Sequence, residues 1–105
     1  MATKEKGILK HLSTKYAAVL NNIEYVVNKS LVDNDRLVEW FTFYFKNTYY
    51  SLSCSYTDRL PNIETYVFGY IGDDGKEVWL YTGKDKTRAF KALEDVLKKW
   101  NNHQK

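Results

Sequence analysis

Leu37–Tyr56, LVEWFTFYFKNTYYSLSCSY, decides how this chain can fold. It holds four of the nine tyrosines, three of the five phenylalanines, one of the three tryptophans and the single cysteine. A run this aromatic cannot be left wholly in water, so other elements or a partner must cover it. Aromatic residues favour strands, and Lys46-Asn47 interrupts the run at its middle. The stretch therefore reads as a hairpin, Leu37–Phe45 and Thr48–Tyr56, with Tyr44 opposite Tyr49 and Phe43 opposite Tyr50. One face collects Leu37, Phe41, Phe43, Phe45, Tyr50, Leu52, Cys54 and Tyr56. The other collects Val38, Trp40, Thr42, Tyr44, Tyr49, Ser51, Ser53 and Ser55.

Working outward, a second hairpin joins Glu64–Ile71 to Lys76–Thr82 through Gly72-Asp73-Asp74-Gly75, residue types that tolerate the positive φ of tight turns. Between the hairpins, Thr57–Ile63 is a loop containing Pro61, the only proline. With an even-numbered loop centred on Asp73-Asp74, Gly69 faces Val78 and Val67 faces Leu80. Val67, Gly69, Ile71, Val78 and Leu80 then share one face; Tyr66, Phe68, Tyr70, Glu77, Trp79 and Tyr81 share the other. A slip of one residue would exchange these sets.

Both ends read as helices. Residues 4–20 place Ile8, Leu9, Leu12, Tyr16, Val19 and Leu20 three and four apart, with Thr3 as a candidate N-cap. Residues 85–100 carry the stripe Phe90, Leu93, Val96, Leu97, Trp100, with Asp85 as N-cap. Residues 23–32 are ambiguous. The first helix's stripe can continue through Val26, Val27 and Leu31, the preferred reading. Alternatively Asn21-Asn22 ends the helix and Ile, Tyr and Val begin a strand. The fold class is α+β: an N-terminal helix, a four-stranded antiparallel sheet of two successive hairpins, with 23–32 as the alternative fifth strand, and a C-terminal helix. Helices pack best on aliphatic or fully apolar faces, so both are placed on the sheet face holding Phe41, Phe43, Leu52, Val67 and Leu80.

The length of 105 residues fits one domain able to bury a core without staples. One cysteine excludes an internal disulfide, and Cys54 reads as a small buried hydrophobe. No run is long and apolar enough to span a bilayer, and the N-terminus lacks a signal-like apolar region, so a cytoplasmic location and no membrane partner are expected. The net charge of +3 is segregated. Residues 1–29 carry five lysines against two glutamates, and residues 84–105 carry seven cations against three acids. Residues 30–83 carry four cations against eight acids.

No metal, nucleotide or nucleophile motif is present, and neither a cofactor nor an enzymatic role is expected. His11 and His103 lie at opposite ends of the chain. Gly69, Gly72 and Gly75 sit at a hairpin, where a dinucleotide fingerprint would need a strand-to-helix turn. Lys84, Lys86 and Arg88 crowd the start of the last helix, where cations oppose the helix dipole and a bound phosphate would reverse the penalty. The element order, with these basic residues at that point, resembles the double-stranded RNA-binding domain. The resemblance implies phosphate contacts by Lys84, Lys86 and Arg88. Two features depart from that family's pattern: the tight Lys46-Asn47 turn, and Asp85 and Thr87 within the basic cluster.

The face opposite the helices then gathers Trp40, Tyr44, Tyr49, Tyr66, Phe68, Tyr70, Trp79 and Tyr81, with serines between. Tyrosine and tryptophan give large contact area at low entropic cost. The expectation is a small non-enzymatic protein-binding module of inhibitor, immunity or adaptor type. It would act through this face and self-associate as a homodimer. The alternative is a nucleic-acid binder working through the basic helices. Single strands stacked on the sheet are disfavoured by the acidic middle of the chain, because phosphate neutralisation supplies much of such affinity.

Overall fold

A computed structural model describes residues 7–29, 36–57 and 64–104. In chain order the elements are α1 (Lys10–Lys15), β1 (Asn21–Lys29), β2 (Arg36–Phe45), β3 (Thr48–Thr57), β4 (Thr65–Ile71), β5 (Glu77–Gly83) and α2 (Lys86–Gln104). The strands form one antiparallel sheet in the order β1-β2-β3-β4-β5, each paired with its neighbour in sequence. The class is α+β, with both helices against one sheet face. The Thr3 cap and the Pro61 loop lie outside the described residues.

Of the ambiguous segment the described residues, 23–29, are strand, which corrects the preferred helical reading there. Asn22 takes a left-handed conformation (φ 53°) at an irregularity in the β1–β2 pairing, which breaks the helical path. Beyond it, Tyr25 faces Phe41 and Val26 faces Trp40. The first helix is correspondingly short, six residues where seventeen were expected. Gly7 at φ 66° precedes it, and the Ser13 hydroxyl donates to the Lys10 carbonyl within it. Turns then carry the chain to Leu20. At α2 the expected N-cap is present: the Asp85 carboxylate accepts the Arg88 amide hydrogen at 3.1 Å.

The first hairpin has the expected register, Tyr44 opposite Tyr49 and Phe43 opposite Tyr50. Lys46 and Asn47 both have positive φ (52° and 61°), the signature of a two-residue type I′ turn. Leu37, Phe41, Phe43, Phe45, Leu52, Cys54 and Tyr56 are buried. Leu9 and Leu12 of the α1 region, and Ala89, Leu93 and Leu97 of α2, close the core over them. Each large apolar side chain withdrawn from water there contributes about 1.5–3 kcal/mol before ordering entropy is subtracted.

The second hairpin departs from expectation by one residue. The Gly72 amide donates to the Lys76 carbonyl at 2.9 Å, the Gly75 amide donates to the Gly72 carbonyl at 2.9 Å, and Gly75 is left-handed at φ 79°. Asp73, Asp74 and Gly75 thus form a three-residue connection, and Ile71 faces Glu77, Tyr70 faces Val78 and Gly69 faces Trp79. A second irregularity follows, after which Phe68 faces Tyr81, leaving Leu80 as the extra residue of a bulge. On the other side of β4, Leu52 faces Phe68 and Cys54 faces Tyr66.

These registers invert the expected faces of β4 and return Tyr81 to the core, while Glu77 and Trp79 stay on the open face as expected. Tyr66 and Phe68 are fully buried among the core residues, and Tyr81 packs against that core. Tyr70 lies 5.4 Å from the Tyr50 ring, which also stacks on Phe43 (5.2 Å) and Phe68 (6.0 Å). Val67, Gly69 and Ile71, expected beneath the helices, lie on the open face instead.

The core also contains a charge. Glu39 has no solvent exposure. It accepts the Leu9 amide hydrogen (3.0 Å) and the Tyr25 hydroxyl (2.7 Å) at Oε1, and the Tyr56 hydroxyl (2.6 Å) at Oε2. Burial pushes its pKa up, but the Leu9 amide, the two phenols and the Ile8 amide outweigh this and hold it below the ordinary carboxylate value. Glu39 therefore ties the start of α1 to β1, β2 and β3.

Candidate docking face

The open face is the surface left uncovered by the helices, and its rows follow from the strand registers. One row runs Tyr44, Tyr49, Ile71, Glu77 across β2 to β5. The next runs Glu24, Thr42, Ser51, Gly69, Trp79 across all five strands. A third runs Val26, Trp40, Ser53, Val67. The middle row is small where its neighbours are large, so the face is a trough with bulky sides.

That trough encloses about 340 Å³, at the small end of the range for ligand sites. Its floor includes Ser51, Ser53 and Gly69, and Trp40, Tyr49 and Trp79 stand around it. Gly69 is required by close packing: a Cβ there would lie 2.3 Å from the Val78 carbonyl oxygen and 3.1 Å from Cε3 of Trp79. The Trp79 indole thus rests against the Gly69 backbone, yet 58% of the residue remains exposed. Ile71, Tyr44 and Val26 are exposed on the same face. Tyr44 and Tyr49 form an edge-to-face pair at 4.9 Å.

Of the eight residues expected on this face, four are there: Trp40, Tyr44, Tyr49 and Trp79. Tyr66, Phe68 and Tyr81 belong to the core, and Tyr70 contacts Tyr50 on the helix side while bordering the trough. Burial and a hydrogen bond to Glu64 raise the Tyr66 pKa well above the ordinary tyrosine value. In their place the face gains Val26, Val67, Gly69 and Ile71. Val67, Gly69 and Ile71 are placed there by the β3–β4 pairing, opposite Ser53, Ser51 and Tyr49, and Val26 by its pairing with Trp40. The Asp-Asp-Gly signal concerns β5, where the three-residue turn puts Glu77 and Trp79 on the face of Ile71 and Gly69.

The basic cluster is brought together at the start of α2, where Lys84, Lys86 and Arg88 are all exposed. The anion position there is occupied by the chain itself. Asp85 caps the helix, and its other carboxylate oxygen lies 3.6 Å from the Arg88 guanidinium. The Tyr81 hydroxyl accepts the Asp85 amide hydrogen at 2.9 Å. The Lys86 ammonium lies 5.6 Å from the Phe90 ring centroid.

Among the described residues, no cluster of histidine, cysteine and carboxylate side chains could hold a metal, and no helix is long and apolar enough to cross a membrane. Cys54 is fully buried. No family model, no curated protein and no solved structure matches this chain.

Proposed function

We propose that this chain is a small non-enzymatic protein-binding module, of inhibitor, immunity or adaptor type, that docks its partner on the open sheet face. Self-association through the same face belongs to this reading. The observation that carries it is the set of exposed large side chains, Trp79, Ile71, Tyr44 and Val26, around a trough floored by serines and glycine. A solvated sheet face normally alternates to polar residues, and amphipathic aromatics at a concave site are the side chains that dominate interface energetics.

The area sits at the low end of the range for specific docking, about 600–1,000 Å² from each partner. Five strands about 4.8 Å apart, with about 7–9 residues rising 3.3 Å each, offer roughly 550–700 Å² of footprint. A standard interface takes about 800 Å² from each partner. The nucleic-acid reading has less support, because Asp85 already supplies the anion that the α2 start favours.

The test is site-resolved photo-crosslinking. A photoreactive residue at Thr42, in the middle row, is expected to yield protein adducts, including with a second copy, that persist after nuclease treatment. The same residue at Lys91, on the outer side of α2, is expected to yield none. Nuclease-sensitive adducts at Lys91 alone would replace this reading with the nucleic-acid one.

A further inference from the structure

We infer that the trough receives a cationic side chain of the partner, an ammonium or guanidinium group carried on an apolar stem. The inference deepens the docking reading and rests on it. Among the described residues lining the trough, Glu77 alone is charged. Four aromatic residues accompany it: Trp40, Tyr49, Trp79 and, bordering the trough, Tyr70. Aromatic faces attract cations through their quadrupole, tryptophan most strongly, and the attraction grows as the cation is desolvated. A carboxylate beside such rings selects for positive charge and against negative charge.

The layout fits a long basic side chain better than a compact ion. Glu77 and Trp79 are alternate residues of β5 and share the open face, with Ile71 directly opposite Glu77. Trp79 rests on Gly69, so its indole lies low over the floor instead of standing upright. A stem of three or four methylenes can run over Ile71 and the Trp79 indole while its head reaches Glu77, as lysine and arginine do on apolar surfaces. The second carboxylate of this face, Glu24, sits in the Trp79 row at the opposite edge. The described cation of the face, Arg36, lies at the far end of β2, two same-face positions beyond Trp40.

The experiment titrates the full chain with four probes: n-butylguanidinium, n-butylammonium, n-butanol and n-butyrate. Indole N–H resonances of Trp40 and Trp79 are followed, with Trp100 on α2 as the internal reference. Saturable shifts at Trp40 and Trp79 with the two cations, and weaker or none with butanol and butyrate, are expected. The stronger of the two cations names arginine or lysine as the source. Glu77→Gln is expected to weaken cation binding about two- to fivefold, the range of an exposed ion pair, while leaving butanol binding and the core resonances unchanged. Equal binding of butanol and the cations, or no effect of Glu77→Gln, overturns the cationic assignment but leaves the docking face standing. No shift with any probe at its solubility limit overturns the assignment as well. Failure of the docking reading is read separately, from absent Thr42 crosslinks.

Discussion

The two hairpins of this sheet turn in different ways. β2 and β3 are joined by two residues, Lys46 and Asn47, both left-handed. β4 and β5 are joined by three, Asp73, Asp74 and Gly75, of which Gly75 is left-handed. Strands alternate faces with a period of two, so one extra residue in a turn reassigns a whole strand. In the first hairpin the turn keeps Trp40 and Tyr44 outside and Phe41 and Phe43 inside. In the second it sends Trp79 outside, and the bulge at Leu80 then returns Tyr81 to the core beside Phe68. The hairpins also differ in what they bury: β2 carries a carboxylate into the core, whereas β4 carries only aromatic rings there.

The largest effect should come from that buried carboxylate. Glu39→Ala leaves the Leu9 amide and the Tyr25 and Tyr56 hydroxyls without their acceptor, and opens a cavity. The expected loss is about 3–5 kcal/mol in chemical denaturation at neutral pH. Glu39→Gln should cost less, because one oxygen still accepts. The pH dependence has a definite sign. The folded-state pKa is depressed, so the contribution of Glu39 is fully present above the ordinary carboxylate range and is lost as pH falls through the lowered value. The stability gap between wild type and Glu39→Gln should therefore be constant near neutrality and shrink below about pH 4. A gap that widens with acid would mean that the carboxylate is not held as its contacts indicate.

The next effect tests the turn itself. Deleting Asp74 leaves Asp73-Gly75, a favoured two-residue type I′ pair. If residue count sets the faces, β5 must either reverse its alternation or lose register with β4. Reversal swaps Trp79 toward the helices and takes Tyr81 off the core. The expected cost is about 2–3 kcal/mol, the burial of one large aromatic side chain. Quenching of tryptophan fluorescence by acrylamide should fall as Trp79 is covered. Unchanged stability with unchanged quenching would place control of the face in the bulge at Leu80 and not in the turn.

The same contrast explains what the chain discloses before it folds. Element order, both hairpins, the Asp85 cap and the core half of β2 and β3 follow from alternation and turn residues, because those are local. The faces of β4 and β5 do not: β4 is oriented by its pairing with β3, Leu52 opposite Phe68 and Cys54 opposite Tyr66, and for β5 Gly72-Asp73-Asp74-Gly75 fits connections of different length, among which the Gly72–Lys76 hydrogen bond chooses. The preference for aliphatic residues under helices also misleads here. The small Ala89 of α2 and its neighbours pack over a sheet face where Tyr50 bridges Phe43 and Phe68. Glu39 shows the same limit. Alternation places it with Leu37 and Phe41, its charge argues against burial, and the conflict is resolved only by donors thirty and seventeen residues away. On the open face, Trp40, Tyr44 and Tyr49 are legible for the same local reason, whereas the Gly69 notch depends on Trp79 falling opposite it.

The smallest effect sharpens the comparison from the other side. Lys46 holds φ 52° without a side chain suited to it, and a left-handed conformation costs a residue with a Cβ about 1–2 kcal/mol. Asparagine tolerates that region better and glycine occupies it freely. Replacing Lys46→Asn together with Asn47→Gly should therefore stabilise the protein by about 1 kcal/mol. By calorimetry this corresponds to a rise in Tm of about 4–7 °C. The register should not change, because the loop keeps two residues, and Trp79 quenching should match wild type. One contact opposes the gain: the Lys46 ammonium lies 5.8 Å from the Phe45 ring centroid, and a cation–ring contact whose cation stays in water contributes about 0.5–1 kcal/mol. If that contact is worth more than the backbone relief, stability will fall instead. The single substitution Asn47→Gly, which keeps Lys46, separates the two effects: it should raise Tm in either case.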